Sequence, residues 1–148
     1  MTAISAPTLQ ERTSVKVGTG VLAYVGLLGR ILYSVIFILS GPNHFKAQTI
    51  GYAAAQGVPL ASILVPLSGI VALLGGLSIA LGYRAKLGAW LIVLFLVPVT
   101  LMLHRFWGVS DPQVAQLQLG MFMKNVSMLG AALMIARVGS GPLSLKQD

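Results

Sequence analysis

Four long apolar runs separated by short polar segments leave this chain few ways to fold. A helix that crosses the hydrocarbon core of a bilayer needs about 20 apolar residues. Candidates lie at about 21–41, 60–83, 87–103 and 117–138. Inside lipid each backbone polar group needs an internal partner, and a continuous helix provides it. The runs take up most of the 148 residues, which leaves no room for a soluble catalytic domain. Composition agrees, with 56% hydrophobic and only 9% charged residues, against about 25% charged in a soluble domain. The first run exceeds the ~7–15 apolar residues of a signal peptide. No small-residue cleavage motif follows it at Ser40-Gly41-Pro42-Asn43, so it is expected to remain as a helix.

The expected fold is all-α: an integral membrane, antiparallel four-transmembrane-helix bundle over residues 21–138. Residues 1–20 and 139–148 are expected to be tails that the fold does not need, the second after a Gly139-Ser140-Gly141-Pro142 stop. Between the first two spans, residues 46–56 read KAQTIGYAAAQ, and Phe45, Ile50 and Tyr52 suit the headgroup level. A short interfacial helix capping the bundle is expected there. Helix pairing in lipid relies on small residues. Ser68, Ala72, Gly76 and Ala80 recur at spacing four on the second span, and Gly120, Ser127 and Ala131 recur on the fourth. Pro98 cannot donate to the Leu94 carbonyl, which predicts a kink in the third helix.

The net charge is +7, from ten Lys and Arg against Glu11, Asp111 and Asp148. The cations are scattered and form no basic stripe, so nucleic acid is not an expected partner. Cytoplasmic flanks of membrane spans collect Lys and Arg. Arg12, Lys16, Arg84, Lys86, Arg137 and Lys146 fall on one side, and Lys46 and Arg105 on the other. Both termini are therefore expected in the cytoplasm, with segments 42–59 and 104–116 facing outward. The absence of cysteine excludes disulfides, thiol chemistry and iron–sulfur ligation in this chain. His44 and His104, without carboxylates, give no expected metal site. No haem or flavin motif is visible, so no covalent cofactor and no self-contained redox centre are expected.

Two cations remain inside spans. Arg30 lies about ten residues from either end of the first, which places it near mid-bilayer. A cation there costs about 2.5–3.5 kcal/mol on insertion scales. Lys124 lies seven residues into the fourth span, roughly 10 Å deep, beside Asn125. No acid occurs in any span. Three readings compete: Asp111 folds back to Lys124 or Arg105; Arg30 bonds backbone carbonyls and Ser34; or the site stays electropositive and takes an anion or electron-rich ligand such as a lipid phosphate, a quinone carbonyl or a sulfur oxyanion. Helical spacing puts Arg30, Ser34, Phe37 and Gly41 on one stripe and Gly120, Lys124, Ser127 and Ala131 on another. Thr100 and His104 face the outer half of the third helix. The candidate ligand-binding set is Arg30, Ser34, His104, Lys124 and Asn125, with Arg105, Trp107 and Asp111 behind it. Trp107 also suits an aromatic belt.

Several stretches then combine in order: Gly29-Arg30 with an apolar run to Ser40-Gly41 and Lys46; Gly57-Val58-Pro59; Leu74-Gly75-Gly76 to Gly82 and Tyr83-Arg84-Ala85; and His104-Arg105-Phe106-Trp107 with Met123-Lys124-Asn125-Val126 and Leu129-Gly130. In this the chain resembles the DoxX family of small four-helix membrane proteins over about residues 26–138. That family often carries a glutamate about a turn before the double glycine; here the stretch reads Ile70-Val71-Ala72-Leu73. The resemblance implies a multi-pass subunit of the bacterial inner membrane, linked to thiosulfate:quinone oxidoreduction or to oxidative-stress assemblies. It implies quinone as the noncovalent cofactor, and at most a quinone-linked oxidoreductase subunit as the enzyme. Expected partners are the lipid bilayer and other subunits or further copies of the chain. The alternative is a non-catalytic structural or assembly subunit that docks through the small-residue face of the second helix.

Overall fold

A computed structural model describes residues 20–146. Five α-helices follow one another: α1 (Val21–Ser40), α2 (Ala47–Ala55), α3 (Ala61–Leu81), α4 (Ala85–Leu103) and α5 (Pro112–Val138), with a 3-10 turn (Gly41–Phe45) between α1 and α2. Four of them are long and apolar enough to cross a membrane: α1 with its 3-10 extension, α3, α4 and α5. The nine-residue α2 is the short helix expected between the first two spans.

Local chemistry sets the boundaries. The Asp111 carboxylate accepts from the backbone N–H of Gln113 at 2.8 Å and of Val114 at 3.1 Å, and Pro112 fills the first helical position. Such a cap with proline behind it starts a helix irrespective of hydrophobicity. α5 therefore begins five residues before the apolar run at Leu117. Gly82 ends α3 at φ 63, ψ 37, while Tyr83 N–H reaches back to the Ser78 carbonyl. This is a Schellman stop.

α3 is the central helix, with α1 along one side and α4 along the other; α5 packs mainly on α4. Glycines allow the close approach. A Cβ on Gly69 would lie 2.6 Å from His44 Cβ and 2.8 Å from the Gly41 carbonyl. One on Gly75 would meet Ile92 and the Gly88 carbonyl, and one on Gly76 would meet Phe37. The small face of α3 is thus consumed inside the bundle, with Ala72 and Gly76 buried. It is not a docking surface for a partner, as the sequence suggested. The core holds Phe37, Ala72, Ile79, Ala89, Ile92, Phe95, Leu96 and Ala132. Outside it, Leu32, Leu39, Leu74, Trp90, Leu94 and Met134 are exposed, as a lipid-facing surface requires.

The second tail departs from expectation. Gly139, Gly141 and Leu143 take positive φ and reverse the chain. The backbone of Leu145 then donates to Leu81 and that of Lys146 to Gly82, at 3.1 and 3.0 Å. Turn residues read as a stop instead return the chain across the bundle, so residues 139–146 belong to the fold. Residues 1–19 lie outside the described residues.

The glycine contacts have a measurable consequence. Gly69→Ala is expected to destabilise the protein by about 1–3 kcal/mol through overpacking. Gly130→Ala, with nothing within 4 Å of the new Cβ, is expected to be neutral or stabilising by up to about 1 kcal/mol. Unfolding midpoints in one detergent compare the two; equal losses would reject glycine-mediated packing at Gly69.

Candidate functional site

Arg30, Ser34, Phe37 and Gly41 are all buried, so the first-helix stripe faces inward. Their depth differs from expectation. The antiparallel register sets Gly41 against Gly69, Phe37 against Gly76, and the Arg30 guanidinium against Gly82. Arg30 therefore lies at the end of the bundle where α3 and α5 stop, not at its middle; the first turns of α1 run past that end. Its Nη1 donates to the Ser140 carbonyl and its Nη2 to the Leu143 carbonyl at 2.7 Å. Backbone carbonyls do hold the cation, but they come from the returning tail rather than from its own helix. No bond to Ser34 forms: Arg30 Nε and Ser34 Oγ are both buried without a partner among the described residues.

The other candidates do not gather around Arg30. His104 stands past the far end of α4, with Nδ1 3.0 Å from Gln118 Oε1. The 19 residues of α4 separate the two ends by about 28 Å at ~1.5 Å per residue. At this far end Arg105 donates to the Gln56 carbonyl at 2.9 Å, tying the α4–α5 loop to α2. Trp107 is exposed and stacks edge-on with Phe106 and Phe122, as a belt residue would. Asp111 caps α5 and so neutralises neither Lys124 nor Arg105. On α5 three residues of the expected inward stripe face out, while Ala131, half-buried, lines a hollow with Arg30 and Tyr33. Gly120, Lys124 and Ser127 are exposed, with Lys124 Nζ 3.4 Å from Met121 Sδ, whereas Asn125 is buried. A lysine can extend along its stem to the interface; an amide of fixed depth cannot, so Asn125 takes the inner face.

The far end holds what the sequence missed. α2 packs on α3, and residues of α2, α3 and α4 line a chamber of about 280 Å³. Val58, Leu64, Val65, Val99, Met102 and Leu103 supply apolar walls; His44, Thr49, Tyr52 and Ser68 supply polar groups. The Ser68 hydroxyl is already bonded to the Val65 carbonyl at 2.7 Å. Pro98, on the wall, deprives the Leu94 carbonyl of its helical donor. His44 is held by Phe95, edge-on at 5.5 Å, and by an Nδ1 contact of 3.1 Å to the Ser40 carbonyl. A carbonyl only accepts, so Nδ1 is the donor in this contact. The sequence signal was His44 on the turn behind Gly41-Pro42, with Gly57-Val58-Pro59 closing the interfacial helix above it.

These features define a class: a multi-pass helical membrane protein with a buried, carbonyl-bound arginine at one end and an apolar chamber at the other. Residues 25–105, more than half of the chain, match the sequence model of DoxX. The chain belongs to the DoxX family. It is 28% identical over 121 residues to inner membrane protein YphA of Escherichia coli K12, covering 80% of this chain and 86% of the relative. It is 29% identical over 121 residues to inner membrane protein YqjF of the same organism, covering 80% and 87%. No solved structure matches.

The Arg30 clamp can be tested by a double-mutant cycle. Each hydrogen bond to a charged donor contributes about 1.5–3 kcal/mol. Truncation after Val138 is expected to cost the parent at least about 1 kcal/mol more than it costs Arg30→Met, measured as unfolding free energy in detergent micelles. Additive losses would show that the tail docks independently of Arg30.

Proposed function

We propose that this DoxX-family protein is a subunit of the bacterial inner membrane that serves a quinone-linked redox system, with the quinone ring seated in the chamber beneath His44. The chamber carries the reading. Its walls are almost wholly apolar, as a quinone ring and its isoprenoid chain require, and Thr49 and Tyr52 of the interfacial helix stand among its lining residues. A sulfur oxyanion suits it poorly, because no Lys or Arg lines it. The Arg30 guanidinium, the site the sequence favoured, spends its Nη donors on the tail. With no cysteine in the chain, thiol and iron–sulfur centres are excluded, so a quinone in the chamber would exchange electrons with a partner subunit or a substrate. The excess of Lys and Arg at the Gly82 end supports cytoplasmic termini.

A second reading is a structural or assembly subunit. The outer face of α5 favours it, since Gly120, Lys124, Ser127 and Gly130 are exposed on one long helix. Small and polar residues there suit another helix better than lipid.

A short-chain ubiquinone titrated into the protein in nanodiscs separates these readings. Saturable binding is expected, weakened at least about tenfold, or ~1.4 kcal/mol, by Thr49→Trp, which fills the chamber, and retained by folded Arg30→Met. Loss only with Arg30→Met would return the ligand to the cation. No saturable binding in the parent would reject the quinone reading and leave the assembly role.

A further inference from the structure

The Gly82 end carries a second concavity that the proposed function does not use. A groove of about 330 Å³ runs between α3 and α4 on the outside of the bundle. Leu74, Leu77, Leu81, Leu87 and Leu91 form its walls, and Leu145 of the returning tail closes it. Tyr83 and Arg84 stand at its mouth, both exposed. The groove opens on the lipid-facing surface of a membrane protein, so its occupant is drawn from the membrane.

The mouth is built in a costly way. Arg84 sits at φ 51, ψ 47, a left-handed conformation that a side-chain-bearing residue adopts only under steric strain. The Ser78 hydroxyl lies 2.6 Å from the Tyr83 carbonyl and 3.0 Å from the Arg84 carbonyl, which holds the turn. The guanidinium stands 6.0 Å from the centre of the Tyr83 ring. A backbone bridge sets Lys146 alongside Tyr83, which puts a second cationic residue at this mouth. Lys86 and Arg137 lie at the same end. Asp111, the one acid among the described residues, is a helix length away, capping α5.

We propose that this groove binds an anionic phospholipid, with an acyl chain along the leucines and the phosphate at Arg84 and Lys146. Charge complementarity selects the anionic headgroup. The leucine walls select a lipid over free phosphate, which would gain nothing from them.

The protein offers its own reporter. Of its two tryptophans, Trp107 lies at the far end, and Trp90 is exposed one residue before Leu91. In full-length Trp107→Phe protein, Trp90 fluorescence is quenched by lipids brominated on their acyl chains. Brominated phosphatidylglycerol is expected to quench at a mole fraction at least threefold lower than brominated phosphatidylcholine in vesicles of matched chains. Arg84→Gln is expected to bring that ratio to about one and Arg84→Lys to restore it. Should Arg84→Gln fail to fold, Arg84→Gly removes the charge while suiting the positive φ. Arg137→Gln is expected to keep the selectivity. A parent ratio near one, selectivity surviving Arg84→Gly, or equal loss with Arg137→Gln would overturn the proposal; so would abolition of the selectivity by millimolar inorganic phosphate, which would indicate an anion site without the lipid chain.

Discussion

The close backbone approach along α3 is the constraint on which the rest of the molecule depends. In lipid, apolar side chains gain little by leaving their surroundings for one another, so helices pair where small residues let dispersion contacts accumulate. Gly69 and Gly76 admit α1, and Gly75 with Gly88 admits α4. With α3 in the centre, Phe37 from one neighbour and Phe95 from the other meet edge-on at 6.1 Å. α5 has no comparable contact with α1. It closes the bundle through α4 and through the Tyr33 hydroxyl, which donates to the Met128 carbonyl at 2.9 Å.

Burying Arg30 with no carboxylate against it among the described residues raises a different problem, and the tail resolves it. A guanidinium taken from water needs acceptors, but they need not be charged. Carbonyl dipoles at the end of a chain satisfy two of its nitrogens, and the glycines and positive-φ Leu143 that shape the tail let those carbonyls turn inward. The returning tail also explains why Gly82 ends α3. Its αL conformation stops the helix, and a Cβ there would collide with Ser144 and lie 2.8 Å from Arg30 Nη1. One glycine thus serves as helix stop and as clearance for the tail and the guanidinium it holds.

The class of fold was legible because length and hydropathy act locally. Four runs long enough to span a bilayer, an Asp-Pro start and small-residue spacing are properties of neighbouring residues. The inward stripe of α1 followed from its period, and the interfacial helix from composition. Orientation on α5 was not legible. Choosing which of two adjacent polar residues, Lys124 or Asn125, faces inward requires weighing a flexible stem against a fixed amide, and periodicity treats them alike. The depth of Arg30 depended on the register between α1 and α3, which only the glycine contacts define. The chamber needed His44, Thr49 and Val99 to meet across 55 residues of chain, and no spacing rule links them.

The two ends of the bundle consequently differ in how far site and fold can be separated. At the chamber, the His44 Cβ rests against the backbone of Gly69, so the contact that lets α1 approach α3 also aims the imidazole. A change that loosens this crossing moves the ring, and a change to the ring disturbs the crossing. At the opposite end Arg84 is exposed, and its backbone is held by Ser78 rather than by core packing. Its side chain can vary without moving a helix. Selection on the ligand proposed for the chamber would therefore act through packing, whereas selection at the cationic mouth could act on charge alone.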